Sequence, residues 1–193
     1  MRINCKAVLC SLATIFVLIG VSGMELLKNG NFQTMSQNHP TNWIFYDWKG
    51  LSSLSIEQED QSNIVLISSG KAGGKATFTQ NIFNLELKEG STVKFSGWYK
   101  TEDISLGDKG MLRIECIFNK SSNAKDKKFA RMNKAVNLAP SPGKWEEFES
   151  TITLISPVAD LNFFILGYNF SGNLYLRDVS VEAIQQTSEI KSN

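Results

Sequence analysis

The sequence predicts an all-β protein, an antiparallel β-sandwich of the jelly-roll type. Three observations carry this. Short segments rich in Val, Ile, Phe, Thr and Trp recur along the chain. Clusters of Gly, Ser, Asn and Pro separate them. No helical segments alternate with them, which argues against a parallel α/β sheet.

Taken in order, strands are expected at 54–58 and 63–67, then 75–82 after Ser69, Gly70, Gly73 and Gly74. Strand 92–100 follows Glu89-Gly90, and 111–118 follows the glycines Gly107 and Gly110. Segment 128–138 fits two periods. Phe129, Met132 and Val136 have helical spacing, while Ala130, Met132, Lys134, Val136 and Leu138 alternate as in a strand; the β surroundings favour the strand. After Ser141-Pro142-Gly143 comes 145–154, then 160–168, and after Ser171-Gly172-Asn173 the last strand, 173–183. There is no internal repeat.

The first 23 residues have the layout of a secretory signal. Arg2 and Lys6 precede a nearly unbroken apolar run over 7–21, and Ser22 and Gly23 follow with small side chains. Fifteen residues are short for a membrane span. Cys10 follows Ala7, Val8 and Leu9, the wrong surroundings for a lipidation site. The expected organisation is a signal peptide at 1–23, one domain at 24–184 and a frayed polar tail at 185–193, with the product secreted, extracellular or periplasmic, and monomeric.

Without Arg2 and Lys6, 18 basic side chains face 19 acidic ones. A near-neutral surface offers no general attraction for nucleic acid or an anionic membrane, and no membrane insertion is expected once the signal is cleaved. With Cys5 and Cys10 in the signal, Cys116 is left without a partner, so stability rests on a packed core.

Successive strand side chains point to opposite faces, so phase separates core from surface. Val93, Phe95 and Tyr99 share one face, with Lys94, Ser96, Trp98 and Lys100 on the other. Leu112, Ile114, Cys116 and Phe118 look inward, leaving Arg113 and Glu115 outward. Leu161, Phe163 and Ile165 oppose Asn162, Phe164, Leu166 and Tyr168. An outward Trp among lysines, with an outward Phe and Tyr, is more exposed aromatic surface than a plain sandwich needs.

Several stretches resemble the secreted carbohydrate-binding modules of the CenC type, families 4, 9 and 22, which share the galactose-binding domain-like jelly roll. Glu25-Leu26-Leu27-Lys28-Asn29-Gly30-Asn31-Phe32-Gln33 resembles their opening "NLLxNGxFE", and Pro40-Thr41-Asn42-Trp43 the Pro-x-x-Trp after it. Gln80-Asn81-Ile82, Gly90 and Phe95-Ser96-Gly97-Trp98-Tyr99-Lys100-Thr101-Glu102 resemble "Q-x-I … G … FSxWxKTE". Gly143-Lys144-Trp145 with Thr151-Ile152-Thr153 resembles "W … TxTF", and Leu174-Tyr175-Leu176-Arg177-Asp178-Val179-Ser180-Val181 the closing "FYIDDVSL". These pieces span 25–182 in the family's order.

The resemblance implies non-catalytic binding of a polysaccharide or glycan, and a structural calcium between the first and closing strands. By position, that metal neighbourhood is Gly30, Asn31, Gln33 and Asp178. The family's acidic residue is Gln33 here, and the first Asp of its Asp-Asp pair is Arg177. Calcium takes six to eight hard oxygens, so losing a carboxylate beside a guanidinium weakens the site.

Sugar rings present flat C–H faces with polar edges, which an aromatic platform and a few hydrogen-bonding side chains can read. On phase, Trp98 is the first candidate platform, its plainer reading a Trp packed under a loop. Arg113 and Glu115 could bind hydroxyls or a uronate, or simply pair with each other. Phe164 and Tyr168 could extend the platform or pack in a second core. Phe45, Tyr46 and Trp48 form an aromatic cluster in an expected loop, either rimming a site or plugging the sandwich end. Trp43 and Trp145 match positions taken as structural. The run from Lys120 to Lys134 carries six basic residues against Asp126 alone, which could steer acidic polysaccharides or be a solvated loop. Asn119-Lys120-Ser121 and Asn169-Phe170-Ser171 are glycosylation sequons.

Catalytic constellations are scarce. His39 is the only histidine, and Cys116 lies in the inward phase of a strand. No nucleophile elbow or phosphate-cradling glycine loop occurs. Glu57, Glu59 and Asp60 read as a strand end and turn, not as a facing carboxylate pair. The expectation is therefore no enzyme, a lyase built from Arg113, Glu115 and Tyr168 being the remaining catalytic reading. The rival class is a cell-surface or envelope interaction module of the same fold with no sugar ligand.

Overall fold

The computed structural model describes residues 23–120 and 131–184. The proposed signal segment (save Gly23), most of the basic run after Lys120, and the polar tail lie outside the described residues. Among the described residues ten strands form: β1 (Gly23–Glu25), β2 (Met35–Ser36), β3 (His39–Pro40), β4 (Ile44–Asp47), β5 (Ser52–Glu59), β6 (Ser62–Ile82), β7 (Thr92–Lys120), β8 (Arg131–Leu138), β9 (Glu146–Thr153) and β10 (Val158–Ile184). Every pairing between these strands is antiparallel. The expected all-β antiparallel class is the observed one.

Three strands are much longer than the sequence pattern suggests. The expected turns near Gly70–Gly74, Gly107–Gly110 and Gly172 are instead corners at which β6, β7 and β10 pass from one layer to the other. The first halves of β6 and β7 and the second half of β10 form a back sheet with β5 and β9 at its edges, and β1 joins the end of β10. The other three halves form a front sheet, in the order β4-β6-β10-β7-β8. Register shifts lie in β10 at 168–173, where the strand bends. Gly172 shows why a glycine is needed there. Its φ is +97°, and a Cβ would collide with the Asp103 carbonyl on β7.

Both sheets send alternate side chains into one core. Val65, Ile67, Val93, Phe95, Leu174 and Leu176 come from the back, and Phe78, Ile114, Cys116, Leu161, Phe163 and Ile165 from the front. The layers touch where the Phe95 and Phe163 rings stand 6.5 Å apart. The expected phases of 92–100, 111–118 and 160–168 are therefore those observed. In β8, Met132, Val136 and Leu138 pack on the core, so strand alternation prevails over helical spacing in the described part of 128–138.

The segment before β4 closes one end. Trp43 stacks on Phe78 at 4.6 Å and donates its indole N–H to the Asn29 carbonyl. The Asn29 side chain ties residues 34 and 41 together across the short β2–β3 hairpin. Gln80, only 2% exposed, accepts from the Lys28 amide and donates to the Lys28 carbonyl. These contacts explain physically why Asn29, Trp43 and Gln80 stand where the motif reading placed them.

Candidate functional site

The outer face of the front sheet holds six of the seven side chains proposed from sequence. Strand register arranges them in rows. One row runs Tyr46, Thr77, Leu166, Arg113 and Asn137; its neighbour runs Ile44, Thr79, Phe164, Glu115 and Ala135. Lys75 and Tyr168 are paired on the far side of the first row. The segment of Phe45, Tyr46 and Trp48 is not a loop but the edge strand β4 and the residue after it. That corrects two readings: Phe45 turns inward onto the core, while Tyr46 and Trp48 face out, 46% and 59% exposed.

A cleft of ≈ 310 Å³ lies on this face. Thr77 and Ile117 are its most buried lining residues, with Phe164 and Leu166 between them on β10. Tyr46 and Trp48 border it with rings 5.7 Å apart and tilted by 34°. The Trp48 indole N–H donates to Thr77 Oγ1 at 3.1 Å, which holds the ring against the sheet although most of its surface is open. The Lys75 ammonium sits 5.0 Å from the Trp48 ring centre and 5.9 Å from that of Tyr168.

Glu115 supplies the cleft's polar side. Its Oε1 accepts from Asn133 Nδ2 at 2.7 Å, and Arg113 Nε lies 3.8 Å from Oε2. The carboxylate is thus fixed as an acceptor, while Arg113 Nε is hidden from solvent without a hydrogen-bond partner. The arrangement suits a ligand with flat apolar faces and polar edges. Sequence reasoning missed Lys75, Thr77, Ile117 and Asn133; the alternation of β6 could have shown the first two, because Ala76 and Phe78 take the inward phase.

Trp98 does not join this site. It is 37% exposed, as an outward residue should be, but it lies on the outer face of the back sheet, paired with Glu147 and Arg177. Around it charged and aromatic side chains pack on one another, and the Arg177 Nε is buried without a hydrogen-bond partner among the described residues. The Arg177 guanidinium sits 4.3 Å from the Trp145 ring and 5.9 Å from that of Trp98, and Lys100 sits over Trp145 and Tyr175. Trp145 donates to Glu59, and beneath it Ile64, Leu66 and Tyr175 form a small second core. Trp98 is thus exposed as expected, but on the opposite face from the other six candidates.

The hollow of ≈ 370 Å³ proposed for calcium is lined by Glu25, Asn29, Gly30, Asn31 and Asp178 among others. Gln33 is not among them; its amide donates to the Asn31 carbonyl. Glu25 is committed to protein donors: the amides of Leu27 and Val181 and the Ser180 hydroxyl. The Gly30 carbonyl accepts from the Val179 amide at 2.9 Å, and no Cβ fits at Gly30 against the Val179 carbonyl. Among the described residues no group of three or more His, Cys, Asp or Glu side chains could hold a metal. The Asp178 carboxylate and a few amide and backbone oxygens fall short of calcium's usual oxygen set, so the residues present fit the ion poorly.

The sequence matches no family model, and comparison with curated proteins finds no match. Solved structures do match the fold. The enzymatically active domain of Bacteriophage CBA120 tailspike protein 4 is similar with a TM-score of 0.63 at 13% identity over 83% of this chain, which spans 21% of that one. The CBM22-1 xylan-binding domain from Paenibacillus barcinonensis Xyn10C gives 0.53 at 13% identity, with 86% of this chain and 98% of that one covered. TmCBM61, solved in complex with β-1,4-galactotriose, gives 0.51 at 13% identity, covering 82% and 97%. The fold is the antiparallel sandwich of carbohydrate-binding modules.

Proposed function

We propose that this protein is a secreted, non-catalytic carbohydrate-binding protein that holds a polysaccharide or glycan across the outer face of its front sheet. One observation carries the proposal: the cleft in which exposed, anchored aromatic rings stand beside a fixed carboxylate. A sugar stacks its C–H face on Tyr46, Trp48 or Tyr168, while Glu115 accepts from hydroxyls and Arg113 donates to them. The fold it shares with carbohydrate-binding modules and the CenC-like motif order support this reading. A non-catalytic role is supported by the cleft's lining, in which Glu115 has no second carboxylate facing it among the described residues.

Secretion after removal of 1–23, a monomeric state and no membrane insertion complete the proposal. For calcium, the donor set supports no more than weak binding near Asp178. A glycan array run beside a pull-down of protein partners tests the reading. Binding to a restricted set of glycans is the expected result. Capture of one protein partner with an empty array would instead favour the interaction-module reading. Incubation with uronate polymers should give no unsaturated product; their appearance would revive the lyase.

A further inference from the structure

Resting on that proposed site, we infer that its ligand is an acidic saccharide, a glycan built with uronate carboxylates. The face carries the charge such a ligand needs. Lys75 borders the cleft and Arg113 lies beside it in register with Leu166, so two cations flank the line a sugar chain would follow from the aromatic edge toward β7. Among the described residues Glu115 is the one carboxylate lining the cleft, and Asn133 and Arg113 already engage it.

Lys75 has no carboxylate within ion-pair distance among the described residues, where the pairs are Lys94–Glu149, Lys100–Glu59 and Arg113–Glu115. Its ammonium is instead held over the Trp48 and Tyr168 rings, the surfaces against which a sugar would stack. A cation placed among stacking rings, without its own counter-ion, is complementary to an anionic group on the ring that stacks there. Arg113, paired with Glu115 at 3.8 Å, adds a guanidinium beside the cleft whose planar fork matches a carboxylate. A neutral glycan would leave the Lys75 ammonium without a charged partner among the described residues.

The test compares polygalacturonate with its fully methyl-esterified form, which shares the backbone but not the charge. Alginate adds a second uronate chain, and dextran sulfate a sulfated chain without carboxylates. Retardation in affinity gels and calorimetric titration would be measured at low and high salt. We expect at least about tenfold tighter binding to a free-carboxylate polymer than to the esterified one, a preference that shrinks with salt. Lys75→Gln, checked for an unchanged melting temperature, should bring that ratio toward one, and Lys75→Arg should keep it. Equal or better binding of the esterified polymer, or an unchanged ratio in Lys75→Gln, overturns the inference while leaving a neutral-glycan site intact. Binding to dextran sulfate alone overturns the carboxylate assignment. Failure of all four polymers overturns it as well, and the glycan array then decides separately whether the site binds sugar.

Discussion

Single side chains decide how this surface is read. Trp48 and Trp98 look alike in sequence, each an aromatic with polar or charged neighbours. Their difference lies in long-range packing: Trp48 is anchored on Thr77 beside an open cleft, while Trp98 lies over a cluster that Arg177, Trp145 and Lys100 fill. Two tyrosines give a separate residue-scale prediction. Burial, reinforced by carboxylate partners, pushes the hydroxyls of Tyr99 and Tyr175 up to about 12 from an ordinary 10.0. They donate to Glu146 at 2.9 Å and to Glu102 at 2.7 Å. The unfolded chain therefore loses these protons first, so their contribution to stability is intact below about pH 10 and falls as the pH rises toward about 12. Urea midpoints measured from pH 9 to 12 should show that fall, and it should flatten in the Tyr99→Phe, Tyr175→Phe double variant. An equally steep fall in the double variant would refute the assignment.

At the scale of elements, alternation within each strand was legible and the lengths of three strands were not. Leu112, Ile114, Cys116 and Phe118 are buried as their phase predicts, because period-two patterning reflects which face meets the core. The glycine clusters of β6, β7 and β10 carry the same local signal whether a chain reverses or turns a corner. Only pairing across the sheet distinguishes the two. The edge strand β4 escaped notice because four residues with one inward ring give too short a pattern. Gly172→Ala tests the corner. A side chain there meets the Asp103 carbonyl at positive φ, so we expect a loss of roughly 2–4 kcal/mol in chemical denaturation. A change within about 0.5 kcal/mol would show that the corner tolerates a Cβ.

Over the whole molecule, the sandwich class was legible in the sequence, but which candidate side chains share a face was not. Tyr46, Trp48, Arg113, Glu115, Phe164 and Tyr168 converge because three long strands carry their halves into different layers, which no local pattern reveals. The same topology places Trp98 on the opposite face. The motif brought Gly30, Asn31 and Asp178 to one hollow, yet the commitments of Glu25 and Gly30 appear only in three dimensions. Adding calcium or a chelator should therefore move the melting temperature by less than about 1 °C, as expected for a ligand far from saturating the folded state. A shift of several degrees that Asp178→Ala abolishes would restore a structural calcium. The central claim is that sugar binds the front sheet's outer face, and the most direct measurement is affinity electrophoresis of the wild type, Trp48→Ala and Trp98→Ala on a glycan the wild type retains. Loss of one stacking ring should weaken retention about tenfold or more in Trp48→Ala and leave Trp98→Ala as retarded as the wild type; the reverse pattern would contradict the claim.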